Sequence, residues 1–240
     1  MTVSLYVLVD LFIIAAPLAL SFDRKVMYVR RWPAVFVAMA IVGLLYIAWD
    51  STMAMRGAWR FSDRFAGATR ILALPPGELF FFVVVPFSCV FIYEVVAAYA
   101  REKSFRVHRA AWIAAGALFL AMGFLAMSRL YTGTVLGAVG AFFLLSAAFA
   151  PSLLGSKVFW LSIATSYAPF LVANGILTAL PVVTYGEAAI LGPRVLSIPI
   201  EDFLYSFSYL GFTIFTYRLL RDALAFRCSA LSTTRGAPRR

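Results

Sequence analysis

The stretch NGILTALPVVTYGEAAILGPRVLSIPIEDFLY, from Asn174 to Tyr205, sets an amide, an arginine and two adjacent carboxylates into otherwise apolar sequence. Ionisable groups kept inside or at the mouth of an apolar helix bundle usually face its interior and mark a reaction centre or pathway. The stretch has an earlier counterpart in the chain. Asp50 precedes Asn174 by 124 positions, and the same offset pairs Arg70 with Arg194, Pro75 with Pro199, Glu78 with Asp202, Phe81 with Tyr205 and Tyr93 with Tyr217. One position breaks the correspondence, since Glu201 falls opposite Gly77. Chance agreement among apolar segments does not align two arginines, two prolines and two acids at one offset.

The 240 residues are 63% hydrophobic, 16% aromatic and only 13% charged. Soluble domains are roughly half apolar and a quarter charged, so the composition predicts an all-α polytopic membrane protein, in which backbone polar groups are satisfied inside helices. A net charge of +10 does not imply nucleic acid here, because the basic residues sit in short groups between apolar runs. Topology explains them better. Cys89 and Cys228 show neither metal spacing nor a disulfide framework, and His108 lies in a basic loop as a solvated residue.

Apolar runs of about the twenty residues that a bilayer needs predict seven spans: residues 3–21, 33–49, 76–99, 110–128, 134–153, 158–180 and 199–219. No signal-peptide cleavage pattern follows the first, which reads as a retained span. It contains Asp10, either turned into the site or hydrogen-bonded to a neighbouring helix. Asp50 falls at the end of the second span, and residues 51–70 read as a re-entrant or interfacial loop. Gly137 and Ala141 offer a small-residue face for close helix contact. The tail from Arg221 is expected to fray. Alternating loops place fifteen of the 21 Lys and Arg on one side, which predicts a cytoplasmic C-terminus and an external N-terminus. Asp50, Arg70, Glu78, Asn174, Arg194, Glu201 and Asp202 then converge on the non-cytoplasmic face.

Four spans separate the two copies, so their helices point the same way. The expected organisation is two parallel three-helix repeats, residues 1–109 and 129–220, joined by a linking span at 110–128 and followed by a basic cytoplasmic tail at 221–240. A ligand site between such halves is common.

These residues resemble the integral-membrane carotenoid-type lycopene cyclases, whose three-span halves, separate or fused, each carry a Pro-x-Glu-Glu/Asp motif followed by aromatics. Pro199, Glu201, Asp202 and Tyr205 match that motif, with Asn174, Gly175, Leu177, Thr178, Gly192 and Arg194 upstream. In the first half, Trp49, Asp50, Gly57, Trp59 and Phe61 look like the family's loop signature, and Phe81, Phe82, Pro86, Tyr93 and Glu94 like the segment after its motif. The resemblance covers residues 3–219. The first motif departs from it, reading Pro75, Pro76, Gly77, Glu78 with one carboxylate missing. A slipped alignment would match Glu78 with Glu201 but breaks the other pairings. The constant offset leaves the first half either catalytically impaired or devoted to shaping the pocket.

The resemblance implies a lycopene cyclase forming β-type end groups, an intramolecular lyase or isomerase that needs no cofactor and no metal. Such ring closure protonates an alkene, lets a second double bond attack the tertiary cation, and loses a proton elsewhere. The donor must hold its proton at neutral pH, which burial favours, and adjacent acids such as Glu201 and Asp202 resist ionising together. Glu201 is therefore assigned as donor and Asp202 as the partner that orients it or stabilises the cation. Glu78 is the equivalent partner in the first half. A cation also needs a dry pocket lined by aromatic faces, and Phe80, Phe81, Phe82, Tyr205 and Phe207 are placed for that. Asp50, Asn174, Trp59, Arg70 and Arg194 complete the substrate-binding set, the two arginines either as counterions to the acids or as interfacial anchors. Glu94 is expected to be a structural partner of a nearby arginine.

Rival readings are weaker. A prenyl-diphosphate transferase needs spaced aspartates for magnesium, a flavin or nicotinamide enzyme a Gly-x-Gly-x-x-Gly turn, and a retinal protein a lysine within a span. None occurs. A related terpenoid cyclase on another isoprenoid, and a transporter or non-catalytic subunit, stay open. The expected partners are a carotenoid or isoprenoid substrate and membrane lipid, not nucleic acid. A homo-oligomer is neither required nor excluded. The compact fused form and the absence of organelle targeting point to a prokaryotic plasma membrane.

Overall fold

The computed structural model describes residues 4–235 and is mostly helical. In chain order it contains α1 (Leu5–Leu20), a 3₁₀ turn (Tyr28–Arg31), α2 (Trp32–Met55), β1 (Trp59–Phe61), α3 (Asp63–Ala66), α4 (Pro76–Tyr99), α5 (Arg109–Leu125) and α6 (Leu130–Phe149). Then follow α7 (Pro151–Leu154), α8 (Lys157–Ala179), β2 (Val183–Tyr185), β3 (Arg194–Val195), β4 (Ile198–Pro199) and α9 (Ile200–Arg235). Four helical stretches are long and apolar enough to cross a membrane: Tyr28–Met55, Pro76–Tyr99, Leu130–Phe149 and Lys157–Ala179. α1 and α5 are shorter apolar helices. Phe12, Leu44, Leu45, Phe124 and Leu125 point outward and exposed, an apolar surface that water tolerates poorly at this extent.

Local sequence explains the helix ends. Pro33 and Pro76 stand in first turns, where a missing N–H leaves nothing unpaired, and the hydroxyls of Ser4 and Ser156 cap α1 and α8. Three boundaries differ from the expected spans. α2 continues to Met55, because no breaker intervenes before Gly57 at φ 73°, so Asp50 lies within the helix. α6 begins at Leu130, which brings Tyr131 and Thr132 into its first turn, and it stops before Pro151. α9 runs past Leu219 to Arg235 rather than fraying at Arg221; residues 236–240 of the expected tail lie outside the described residues.

α1 packs on α4 and α6 on α9, while α2 lies against α9 and α8 against α4. The second helix of each expected half thus meets the third helix of the other. The offset of 124 recurs in the backbone joining them. β1 pairs antiparallel with β2, with Arg60 opposite Thr184 at the centre of the register. The flanking bonds, Ser62 N–H to Val182 O and Gly186 N–H to Ala58 O, exchange places when 124 is added to one residue of the pair and subtracted from the other. Ile71 bridges Leu74, and Val195 pairs with Ile198, each around a leucine in the left-handed region, Leu72 (φ 53°) and Leu196 (φ 57°). The rings of Tyr93 and Tyr217 meet edge to face at 6.3 Å.

α5 and α6 touch through glycines spaced seven apart. A β-carbon on Gly123 would stand 2.7 Å from the Gly133 carbonyl oxygen and 2.9 Å from the Gly137 nitrogen, and one on Gly140 would stand 2.8 Å from the Gly116 oxygen. Gly137 thus joins the contact through its backbone. Such approach lets helices pack closely in an apolar medium. Gly140→Leu should force the pair apart and destabilise the protein by about 1–3 kcal/mol, seen as a lower midpoint when the detergent-solubilised chain is unfolded with SDS. An unchanged midpoint would contradict the contact.

Candidate active site

β4 delivers the chain directly into the first turn of α9, so Glu201 and Asp202 enter the protein side by side where a helix N-terminus favours negative charge. Both are buried, at 1% and 5% exposure, yet they are held differently. Asp202 accepts three hydrogen bonds: from Tyr131 Oη to Oδ1 at 2.8 Å, and to Oδ2 from Asn174 Nδ2 at 2.8 Å and Tyr185 Oη at 2.6 Å. Glu201 takes its two on one oxygen. Thr132 Oγ1 and the Leu191 N–H donate to Oε1 at 2.6 and 2.7 Å, while Oε2 is buried without a partner among the described residues.

Across the bundle, Tyr6 on α1 donates to Glu78 Oε2 on α4 at 2.5 Å, as Tyr131 on α6 does to Asp202 on α9. Asp50 is buried on α2 with Oδ2 unpartnered among the described residues, and it lies within the fields of both Glu78 and Asp202. Asp50, Glu78 and Asp202 therefore share one electrostatic neighbourhood although they come from three helices. Gly77 has no room for a side chain: a β-carbon there would stand 2.8 Å from Cβ and Cγ of Tyr6.

Aromatic rings wall this neighbourhood. Tyr205 packs against Trp49 at 5.0 Å and Tyr46 at 5.4 Å, with its hydroxyl buried and unpartnered among the described residues. Trp59 meets Tyr131 at 4.9 Å, and Phe82 meets Tyr209 at 5.6 Å. Phe81 packs on Tyr6 at 6.4 Å. Phe80 is half-buried, and Phe207 belongs instead to the deeper core, against Phe142 and Trp160.

The arginines stand apart from the acids. Arg70 is bonded to Asp63 at 2.6 Å and to the Phe61 carbonyl, and Arg194 donates to the Ser197 carbonyl with its guanidinium 5.8 Å from the Tyr185 ring centre. Among the described residues no salt bridge reaches Asp50, Glu78, Glu201 or Asp202. Glu94, near the other end of α4, does take arginine partners, Arg31 and Arg221 at 3.5 Å, and a hydrogen bond from Tyr217.

Tyr6, Tyr131, Thr132, Tyr185 and the Leu191 N–H are site groups that the sequence reading misses. Tyr6 and Tyr131 are 125 apart, one residue off the constant offset, and that near-coincidence is the available signal. Tyr185, on the loop above the acids, has its phenol pushed well above the ordinary value, first by burial and then by the Asp202 carboxylate. It keeps its proton and donates.

These features mark a helical protein with spanning-length apolar helices that buries Asp50, Glu78, Glu201 and Asp202 among aromatic rings, clear of any salt bridge among the described residues. The family model for lycopene cyclase matches residues 3–96 and 128–220, and the chain belongs to the lycopene cyclase family. No curated protein and no solved structure gives a match.

Removing one of the three donors to Asp202 tests the geometry without reference to activity. Tyr131→Phe should cost about 1–3 kcal/mol of stability, the range for leaving a buried polar group short of a partner. Tyr99→Phe, which removes the hydroxyl of an exposed ring, is the control expected to leave the SDS midpoint in place. Equal midpoints for the two variants would contradict the bond from Tyr131.

Proposed function

We propose that this protein closes the ends of lycopene into β-type rings by proton transfer, with no net redox change, as an isomerase-type cyclase in a prokaryotic plasma membrane. The observation that carries the reading is the different hydrogen bonding of Glu201 and Asp202. Glu201 takes both of its hydrogen bonds on Oε1 and leaves the buried Oε2 without a partner among the described residues, free to meet a substrate carbon. Asp202, accepting from three donors, is the carboxylate that such bonds favour. Glu201 gives its proton to the terminal double bond, the neighbouring double bond attacks the tertiary cation to form the ring carbon–carbon bond, and a ring carbon loses a proton to the carboxylates. Atoms and charge balance, and the donor is restored.

Asp202 offsets the developing positive charge, and the faces of Tyr205, Trp49 and Trp59 add to that through their ring quadrupoles. Asp50 and Glu78 close the neighbourhood from the other side. In this reading the chain crosses the membrane seven times as two parallel three-helix halves joined by α5, with the acids at the non-cytoplasmic face. The shared register about Arg60 and Thr184, the paired turns at Leu72 and Leu196, and the matching Tyr6–Glu78 and Tyr131–Asp202 bonds support the repeat. The rings of Trp49, Trp59, Phe82 and Tyr205 around the acids also favour a carotenoid or similar polyene as substrate, since they present apolar faces.

Expression in a lycopene-accumulating host tests the activity. The native chain should convert acyclic pigment to ring-bearing product, and Glu201→Gln should cut that conversion by about 10²–10⁴-fold, the usual contribution of a general acid. Pigment left acyclic by the native chain, despite normal membrane insertion, would overturn the reading.

A further inference from the structure

We infer that Asp10 is the second acid of the first half, a proton-holding partner to Glu78 in the way that Glu201 partners Asp202. The inference rests on the cyclase reading for its function, though not for its geometry. Asp10 is wholly buried on α1, and neither carboxyl oxygen has a hydrogen-bond partner among the described residues. The hydrogen bond to a neighbouring helix that would make it a structural residue is therefore missing. It lies one turn beyond Tyr6 on the same face of α1, and Tyr6 is bonded to Glu78. Glu78 acts on Asp10 through its charge, and Tyr6 feels both acids together with Asp50.

The need for such a residue follows from Gly77. The position that corresponds to Glu201 is filled by the body of Tyr6, so an acid cannot be housed there. α1, whose close approach causes that exclusion, itself carries an acid into the same neighbourhood. In each half one carboxyl is then held by a tyrosine, Glu78 by Tyr6 and Asp202 by Tyr131, and unpartnered buried oxygens among the described residues remain on Asp10 and Asp50 in the first half, Asp10 alone having both its oxygens so, and on Glu201 in the second. A bare carboxylate in apolar surroundings is strongly disfavoured, so Asp10 carries its proton at rest. At a polyene end held by the first half, Glu78 gives its proton to an alkene carbon, the O–H bond of Asp10 breaks with its electron pair left on Asp10, and that proton passes to Glu78. The proton lost by the ring carbon in that same closure returns to Asp10, so the pair ends as it began. Asp10 acts through Glu78 and is a positioning and relay residue rather than one that touches substrate.

Two readouts on the full chain in lipid vesicles test this. The first is infrared difference spectroscopy of protonated carboxyl groups in the native protein and in Asp10→Asn; the variant should lose one buried carboxylic acid band. The second is lycopene turnover, which should fall at least about tenfold in Asp10→Asn and recover at least half its native rate in Asp10→Glu. A retained band, or turnover within twofold of native in Asp10→Asn, overturns the inference. Should Asp10→Asn fail to insert, Asp10→Glu decides alone: a displaced acid band with retained turnover supports the relay, and an unmoved band overturns it. If the native chain itself leaves lycopene acyclic, the cyclase reading fails separately, and the band still determines whether Asp10 holds a proton.

Discussion

Five carboxyl groups, those of Asp10, Asp50, Glu78, Glu201 and Asp202, are buried in an apolar bundle with no salt bridge to a lysine or arginine among the described residues, and this constraint organises the rest of the structure. Taking a charge out of water costs several kcal/mol even after relaxation. The usual remedy is a cation, and the chain uses it at Glu94, which meets Arg31 and Arg221. At the other end of α4 the remedy is different: tyrosine and threonine hydroxyls, an asparagine amide and one backbone N–H supply the bonds. Neutral donors stabilise a carboxylate without cancelling its charge. An arginine there would have neutralised it.

The donors to Glu201 and Asp202 come from several separate elements. Tyr131 and Thr132 come from α6, Asn174 from α8, Tyr185 from the strand β2, and the acids they serve from α9. β2 is fixed by pairing with β1, which follows directly from the helix that carries Asp50. The loop pairing therefore ties the hydrogen bonds of Asp202 to the position of α2. The crossed packing of α2 on α9 and α8 on α4 also brings the helices that carry Asp50 and Asp202 into contact within the bundle.

Much of this is legible in the sequence, and the parts that are not share a physical cause. Spans are readable because apolar runs of bilayer length are long, continuous signals, and α4, α6 and α8 lie close to where those runs place them. The acids are readable because charge in apolar sequence is rare. Their donors are not: a tyrosine or threonine in an apolar run is ordinary, and only the fold reveals that Thr132 faces Glu201. Helix ends also resist. The residues after Asp50 are polar enough to suggest a loop, yet they lack a breaker before Gly57, and tertiary contact keeps them helical. Glu94 shows the converse case, since basic residues clustered near its end of α4 already mark an arginine as its partner. For Arg70 and Arg194, position alone leaves two roles open, and the bonds to Asp63 and to the Ser197 carbonyl occupy their guanidinium groups at the rim.

The break at Gly77 bears on how the two halves correspond. A slipped alignment would equate Glu78 with Glu201, in which case Glu78 should take a threonine hydroxyl and a loop N–H. It takes instead a tyrosine from the first helix of its half, the same bond by which Tyr131 holds Asp202. The constant offset is thus the one consistent with the hydrogen bonding, and Gly77 stands where Glu201 would be. The glycine is not a simple deletion of chemistry. With no β-carbon at that position, α1 approaches α4 closely enough for the Tyr6 ring to lie over the backbone and its hydroxyl to reach Glu78. A glutamate there would push α1 outward and carry Asp10 away from Glu78 with it. With Gly77 in close contact with Tyr6, the first motif keeps one acid where the second has two, and α1 brings Asp10 into the same neighbourhood.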